Sequence, residues 1–206
     1  PMHSVLSFAS LGTEKARAQQ AQKLAHYFER IHQSGERLLA LLNNLLDLSK
    51  LEAGMMQLNL VSVDLRTLVQ EAIMESEAWA QERGVVLVLG NMTGSLTATV
   101  DSVRIGQVIR NLLSNAIKFS PRDSQIHVDI CETYLANGRR AADPEDVPAA
   151  KISVRDSGVG IPEDELALIF DKFVQSSKTK TGAGGTGLGL SICREIVLAH
   201  HGTIRA

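Results

Sequence analysis

The sequence predicts an α+β chain. A helical hairpin, of the kind that pairs into a dimeric four-helix bundle, precedes an α/β two-layer sandwich. Three observations predict it. Residues 1–56 carry a helical apolar spacing. From residue 57 onward, short β-rich runs alternate with helical stretches punctuated by Gly, Asp and Pro. One of those helices, over residues 105–119, is apolar on one side and amide-bearing on the other, which suits a helix packed on a sheet.

In the first 56 residues, Leu24, Phe28, Ile31, Gly35, Leu38, Leu42, Leu45 and Ser49 alternate spacings of four and three. Leu39, Leu41, Leu46 and Leu48 widen the stripe beyond a two-stranded seam. A helix this apolar must bury its face against other helices, which predicts a homodimer through this region. Gly12, Thr13 and Glu14 read as the break between a short first helix and a long second one. Gly54 ends the second helix and a linker strand follows near 57–63, so the boundary falls between 1–56 and 57–206.

Asp64 reads as the N-cap of a helix running to about Arg83. Strands follow near 85–89 and 96–100, then the amide-bearing helix, then strands near 125–134 and 150–156. The polar stretch from Gly138 to Pro148 reads as a long hairpin loop between them. A short helix near 163–170 and a last helix over 188–200 complete the order. Residues 202–206 begin a strand and stop, so the last strand is expected to be cut short.

Composition narrows the function. At 206 residues the chain holds one large domain or two modest ones. A net charge of −2 gives no electrostatic case for nucleic acid or for an anionic membrane. No apolar run approaches the roughly 18 residues of a membrane span, and no signal-peptide pattern is present. A cytoplasmic location is expected, with any membrane attachment supplied from outside these residues. Cys131 and Cys193 lack metal-like spacing and read as reduced thiols. The six histidines show no zinc pattern, and His200-His201 reads as a helix C-terminus.

The chemistry concentrates in four segments. Asn111, Asn115 and Lys118 stand at i, i+4 and i+7, so one helix face carries all three. Asn is a poor mid-helix residue because its amide competes for backbone hydrogen bonds. Two amide oxygens beside an ammonium could hold a hydrated magnesium ion and phosphate oxygens, and a plain solvated face is the alternative. Asp156-Ser-Gly-Val-Gly-Ile161 follows a strand, where a carboxylate could accept from an exocyclic amine and glycines let the backbone approach a ring. By itself it equally describes a tight turn. Phe170-Asp-Lys-Phe173 comes next, and then Gly182-Ala-Gly-Gly-Thr-Gly-Leu-Gly-Leu190, which opens a helix whose free N–H groups could meet phosphate. Residues 182–187 match G-x-G-x-x-G, but they follow Ser, Thr and Lys rather than a strand, so no dinucleotide-binding turn is available. There is no P-loop either, and a mobile glycine-hinged lid over 176–185 fits better.

In this order and spacing, N-L-L-x-N-A-x-K-F, D-x-G-x-G-I, F-x-x-F and G-G-T-G-L-G-L resemble the four nucleotide-binding boxes of sensor histidine kinases, which belong to the histidine-kinase and gyrase-type ATPase superfamily. The match covers residues 101–202. Gly35–Leu39 and Leu45–Gly54 are similar to the second helix of that family's dimerisation and histidine-phosphotransfer hairpin. The resemblance implies an enzyme that binds ATP and Mg2+ and passes the γ-phosphoryl group to a histidine, for relay to the aspartate of a response regulator.

By motif position it further implies that Asn115 ligates magnesium, with Asn111 and Lys118 near the phosphates. Asp156 would read the adenine amine, with Gly158, Gly160 and Ile161 shaping that wall and Phe119 packing near the base. Gly184, Gly185, Thr186, Gly187, Leu188 and Gly189 would wrap the phosphates, while Phe170 and Phe173 seat the lid. Lys172 stands where many members carry Arg, as a transition-state cation. Pro1 resembles the last residue of the H-E-x-R-T-P motif, which would place the phosphoacceptor five residues before it. His3 lies past that proline, at a position with no such role in the family. ATP hydrolases of the superfamily carry a glutamate base where this chain has Asn111, and an amide cannot take a proton, which favours transfer over hydrolysis.

Overall fold

A computed structural model describes residues 2–18, 21–53, 55–94, 96–135, 147–179 and 186–206. The chain forms two compact units, Pro1–Lys50 and Leu51–Ala206. In the first, α1 (Met2–Ala18) and α2 (Gln22–Glu52) make a hairpin. The break expected at Gly12–Glu14 is absent, because α1 runs through it to Ala18. Gly12 is small for another reason: a Cβ there would lie 2.4 Å from the ring of Phe28. Buried Ala9, Ala16 and Ala25 are likewise small, and Arg17 of α1 pairs with Glu29 of α2. Along the predicted stripe of α2, Leu24, Ile31, Leu38, Leu42 and Leu45 remain 38–47% exposed in the single chain.

The second unit begins with β1 (Val61–Asp64) and α3 (Leu65–Arg83). Asp64 caps α3 by accepting from the Arg66 N–H, as its sequence position predicts. Gly84 closes the helix in the left-handed region at φ +70°, where its N–H reaches the carbonyls of Ala80 and Gln81. Next come β2 (Val85–Thr93), β3 (Thr97–Val100), α4 (Ser102–Phe119), β4 (Ser124–Leu135), β5 (Val147–Arg155) and α5 (Gly189–Ala199). One sheet has the order β2-β4-β5, with β2 parallel and β5 antiparallel to β4, and β1 and β3 form a separate antiparallel pair.

Alternation along β4 makes the two layers. Ile126, Val128 and Ile130 are fully buried and pack with Ile109, Leu113, Ala116 and Ile117 of α4 and with residues of α3. Three elements depart from expectation. Strand β2 does not stop at Gly90, because the ladder continues past an irregularity between Leu89 and Met92. There the Asp129 carboxylate accepts the Asn91 N–H at 2.9 Å, and a Cβ on Gly90 would collide with it. Strand β5 starts at Val147, so Val147 and Pro148 belong to an edge strand rather than to the loop, whose residues 138–146 lie outside the described residues. The short helix after Pro162 is two 3₁₀ turns, Glu163–Glu165 and Leu168–Phe170, and residues 202–206 enter no ladder after the turn at His201 and Gly202. No helix among the described residues is long and apolar enough to cross a membrane.

Asp101 joins three segments and was not singled out by its sequence context. It is 8% exposed, and its carboxylate accepts the N–H of Arg104 at 3.1 Å, capping α4, and that of Asn59 at 3.0 Å. Its own N–H donates to Nε2 of His200, whose Nδ1 donates to the Ile196 carbonyl. The two bonds fix the imidazole as the Nδ1–H tautomer. Burial pushes the Asp101 carboxyl up, but the N–H groups and the Arg104 guanidinium outweigh it and hold its pKa below 3.8.

Asp101→Ala should therefore cost about 1–2 kcal/mol at neutral pH, the value of a lost helix cap with buried partners left unpaired. Because the folded pKa is depressed, this stabilisation is complete above 3.8 and lost as pH falls through the folded value. Urea denaturation in a pH series from neutral down into acid checks this, with wild type and variant converging only as pH falls well below 3.8; a deficit that stays constant throughout counts against it.

Candidate functional site

Helix α4 presents the amide row. With its apolar side buried on β4, Asn111, Asn115 and Lys118 lie half-buried on another side. The Lys118 ammonium lies 4.8 Å from the centroid of the Phe119 ring. Partial burial, and secondarily the nearby Arg83 guanidinium, lower the Lys118 pKa below its ordinary 10.5. A cation at the end of this row is thus under-compensated by the protein itself, which suits a site for an anion.

Three glycines bring other segments to this helix and its neighbours. After β5 the chain turns at Asp156, whose carboxylate accepts the Gly158 N–H at 2.7 Å. A Cβ on Gly158 would stand 2.9 Å from the Phe119 carbonyl oxygen, so this turn sits against the C-terminal end of α4 only because position 158 has no side chain. Gly187, at φ +70°, approaches the backbone of Phe173, which is also left-handed at φ 62°, and the Phe173 N–H donates to the Gly187 carbonyl at 2.9 Å. A Cβ on Gly187 would lie 2.7 Å from the Phe173 carbonyl carbon. Gly189 faces Asn111, and its Cβ would sit 4.0 Å from the amide carbon.

The described residues of the expected site therefore converge through three contacts: Phe119 with Gly158, Asn111 with Gly189, and Phe173 with Gly187. Phe170 is buried, whereas Phe173 is 63% exposed and grips the glycine segment through its backbone rather than its ring. Lys172, Gly160 and Ile161 lie on the flanking turns, exposed and outside these three contacts. Thr186 accepts the Leu188 N–H at 3.2 Å, and Leu188 is fully buried. Gly184 and Gly185 lie outside the described residues.

The expected lid is tied down at its start: Ser177 donates its N–H to the Glu165 carboxylate at 3.1 Å, and Lys178 reaches the Val159 carbonyl at 3.2 Å. Beyond it, the helix α5 has no side-chain cap among the described residues, in contrast to α3 and α4. A helix start without a side-chain cap can offer its first N–H groups to an anion. Asp171, between the two phenylalanines, pairs with Arg194 of α5 at 3.3 Å.

The donor set fits a magnesium–nucleotide pair. No group of three or more His, Cys, Asp or Glu among the described residues is placed to hold a metal, so a cation here would rest on amide oxygens, phosphate and water, as magnesium commonly does. A separate cavity of about 550 Å3 on the outer sheet face, lined by Asn91, His127, Asp129 and Arg155 among others, contains none of these residues. Both cysteines are free; burial pushes the Cys193 thiol up to about 11, although a hydrogen bond from the Asn111 side chain pulls the other way. Neither Cys193 nor His200 carried a sequence signal for its contact, because each partner is remote in the chain.

Comparison with known families agrees with this geometry. Residues 100–206 match the family model described as histidine kinase-, DNA gyrase B-, and HSP90-like ATPase, and residues 1–54 match the His Kinase A (phospho-acceptor) domain. The chain is 33% identical over 208 residues to hybrid signal transduction histidine kinase L of Dictyostelium discoideum, covering 99% of this chain and 11% of that protein. It is 32% identical over 202 residues to histidine protein kinase DivJ of Caulobacter vibrioides, covering 98% of this chain and 32% of that protein. The chain thus spans a third or less of these relatives. A crystal structure of full-length ShkA in complex with AMPPNP superposes with a TM-score of 0.75 at 26% identity, covering 100% of this chain and 39% of that one.

Gly187→Ala should unhook the glycine segment from Phe173, costing roughly 1–2 kcal/mol for the left-handed conformation and more for the collision. Gly160→Ala is the control: it shares a positive φ of +66° but has open space around it, so only the conformational part should appear. Amide exchange at Phe173, whose N–H bonds to Gly187, should accelerate in the first variant and stay near wild type in the second; equal behaviour would discount the contact.

Proposed function

The chain belongs to the sensor histidine kinases, and from that premise we propose that residues 57–206 bind magnesium–ATP and pass its γ-phosphoryl group to a histidine of a hairpin of the type begun by residues 1–56. From there it would pass to an aspartate on a response-regulator receiver domain. The observation that carries this reading is the convergence of Asp156–Gly158, the amide row and the Gly187–Gly189 segment on α4. A carboxylate able to accept from an exocyclic amine at one end, and a helix start with no side-chain cap among the described residues at the other, support it.

In this reading Asp156 accepts from the adenine amine, while Phe119, Gly160 and Ile161 line the base. Asn115 offers its amide oxygen to the metal, and Asn111 and Lys118 face the phosphates with the first turn of α5. Phe170 anchors the turn that carries Phe173, and Lys172 between them supplies a positive charge during transfer. Magnesium, when bound, neutralises charge on the transferring group. Phosphoryl transfer needs mainly alignment and charge neutralisation, so this set suffices without an elaborate acid–base apparatus. The amide of Asn111 cannot activate water as a base, which supports transfer rather than hydrolysis.

Two different losses are expected from two substitutions. Asp156→Ala should cost about 1–3 kcal/mol of affinity with or without magnesium, the value of an unpaired polar partner. Asn115→Ala should remove mainly the magnesium-dependent part. Calorimetry with ATP, with magnesium and with chelator, separates them, and equal losses from Asn115→Ala in both conditions would sink its assignment as metal ligand.

The open stripe of α2 supports a homodimer, because a second copy would cover apolar surface that monomers seldom leave exposed. Leu38→Glu and Leu45→Glu should each shift the chain toward monomer in sedimentation. A wild-type chain already monomeric at high micromolar concentration overturns this part of the reading.

A further inference from the structure

The turn that carries Asp156 is held from two sides. On one, Gly158 lies against the Phe119 carbonyl of α4, as its missing side chain allows. On the other, the Lys178 ammonium donates to the carbonyl of Val159 at 3.2 Å. Val159 stands between Gly158 and Gly160, its side chain is 54% exposed, and a Cβ on Gly160 would meet nothing within 4 Å. Side-chain packing therefore does little to fix the Val159 peptide, and a glycine on each side leaves the backbone there unusually free to rotate. A hydrogen bond to its carbonyl restrains what packing does not.

Lys178 reaches across from a segment that is itself fixed. Ser176 is 6% exposed, and its carbonyl accepts the N–H and the hydroxyl of Thr179 at 2.9 and 3.0 Å. The Ser177 N–H is directed at both oxygens of the Glu165 carboxylate, at 3.2 and 3.1 Å. Glu165 ends the first 3₁₀ turn, and its own N–H bonds back to the Pro162 carbonyl at 2.9 Å. Residues 176–179 thus form a strut between that turn and Val159.

Aim matters, because a carboxylate reads an amine only at hydrogen-bonding distance and direction. One oxygen of Asp156 accepts the Gly158 N–H at 2.7 Å, so the backbone of this turn sets where the carboxylate sits and where its second oxygen can meet a base. We propose that Lys178 is a positioning residue for base recognition: by pinning the Val159 carbonyl from the strut of residues 176–179, it holds the Asp156 carboxylate in line with an exocyclic amine. This role rests on Asp156 being the adenine reader. Lys178 needs no contact with the nucleotide, which separates it from a cation that grips phosphate. Arginine at this position keeps a donor for the carbonyl, whereas methionine keeps an unbranched stem and removes the donor.

The test compares wild type with Lys178→Met, Lys178→Arg and Asp156→Ala, all as the full 206-residue chain. Calorimetry in magnesium reads affinity for ATP and for inosine triphosphate, which carries the same phosphates but a carbonyl in place of the exocyclic amine. Lys178→Met should lose about fivefold in ATP affinity, the net worth of one hydrogen bond, and hold its affinity for inosine triphosphate. Lys178→Arg should retain most of the preference for ATP. The Gly160 N–H shares a peptide unit with the Val159 carbonyl, so its 15N NMR resonance should move in the methionine variant and stay close to wild type in the arginine one. If Asp156→Ala leaves the ratio of the two affinities unchanged, the reading of Asp156 falls and the proposal with it. If Asp156→Ala abolishes the preference but Lys178→Met binds both nucleotides as wild type does, or loses equally for both, the positioning role alone is overturned.

Discussion

The rotation of α4 about its own axis is the constraint from which the site follows. Ile109, Leu113, Ala116 and Ile117 are at most 4% exposed and share cores with β4 and α3. Burying one large aliphatic side chain is worth roughly 1.5–3 kcal/mol, so rolling the helix by even one position would forfeit several such contributions. Asn111, Asn115 and Lys118 are carried by that same rotation, since a helix advances by about 100° per residue. The chemistry-bearing side chains thus need no dedicated framework. They are held by residues that never touch a ligand, and the Asp101 cap holds the start of the same helix.

Around this helix the design principle is steric absence. Gly158 lets a turn sit against the carbonyl of Phe119, Gly187 lets a segment lie on the backbone of Phe173, and Gly189 leaves space beside Asn111. At the first two positions a side chain would collide with backbone, which cannot rotate out of the way. The contacts join segments that are far apart in the chain, and each is made by main-chain atoms on at least one side. Main-chain contacts of this kind tolerate much change in neighbouring side chains, which is why short glycine motifs can mark the site so clearly.

What could be read from the sequence followed from local rules. The Asp64 cap, the extent of α3 and the amide row on α4 all rest on neighbours within one or two helical turns, and the structure places them where those rules do. Glycine is where local rules fall short. Gly12 read as a helix break and Gly90 as a strand end, yet one is small for the ring of Phe28 and the other for the Asp129 carboxylate. A glycine in a sequence says that something comes close or that the chain turns, and only tertiary structure decides which. Pro148 misled in a similar way, because proline is tolerated on an edge strand that periodicity cannot identify as an edge. The links from Asp101 to His200 and from Val108 to Cys193 were illegible because each depends on the packing of α4 against α5.

Helix α5 is anchored unevenly. At its C-terminal end His200 is bonded to the backbone of Asp101 and to Ile196, while at its N-terminal end no side chain caps it among the described residues. Between those ends it is held along its length by buried Leu188, Ile192, Cys193 and Ile196 and by the Arg194–Asp171 pair. Eleven residues at 1.5 Å rise span about 16 Å. A tilt of about 5° then moves its tip by roughly 1.4 Å, enough to carry a donor from hydrogen-bonding distance to none. The buried side chains along the helix, and not the histidine alone, therefore set how accurately its first N–H groups are aimed.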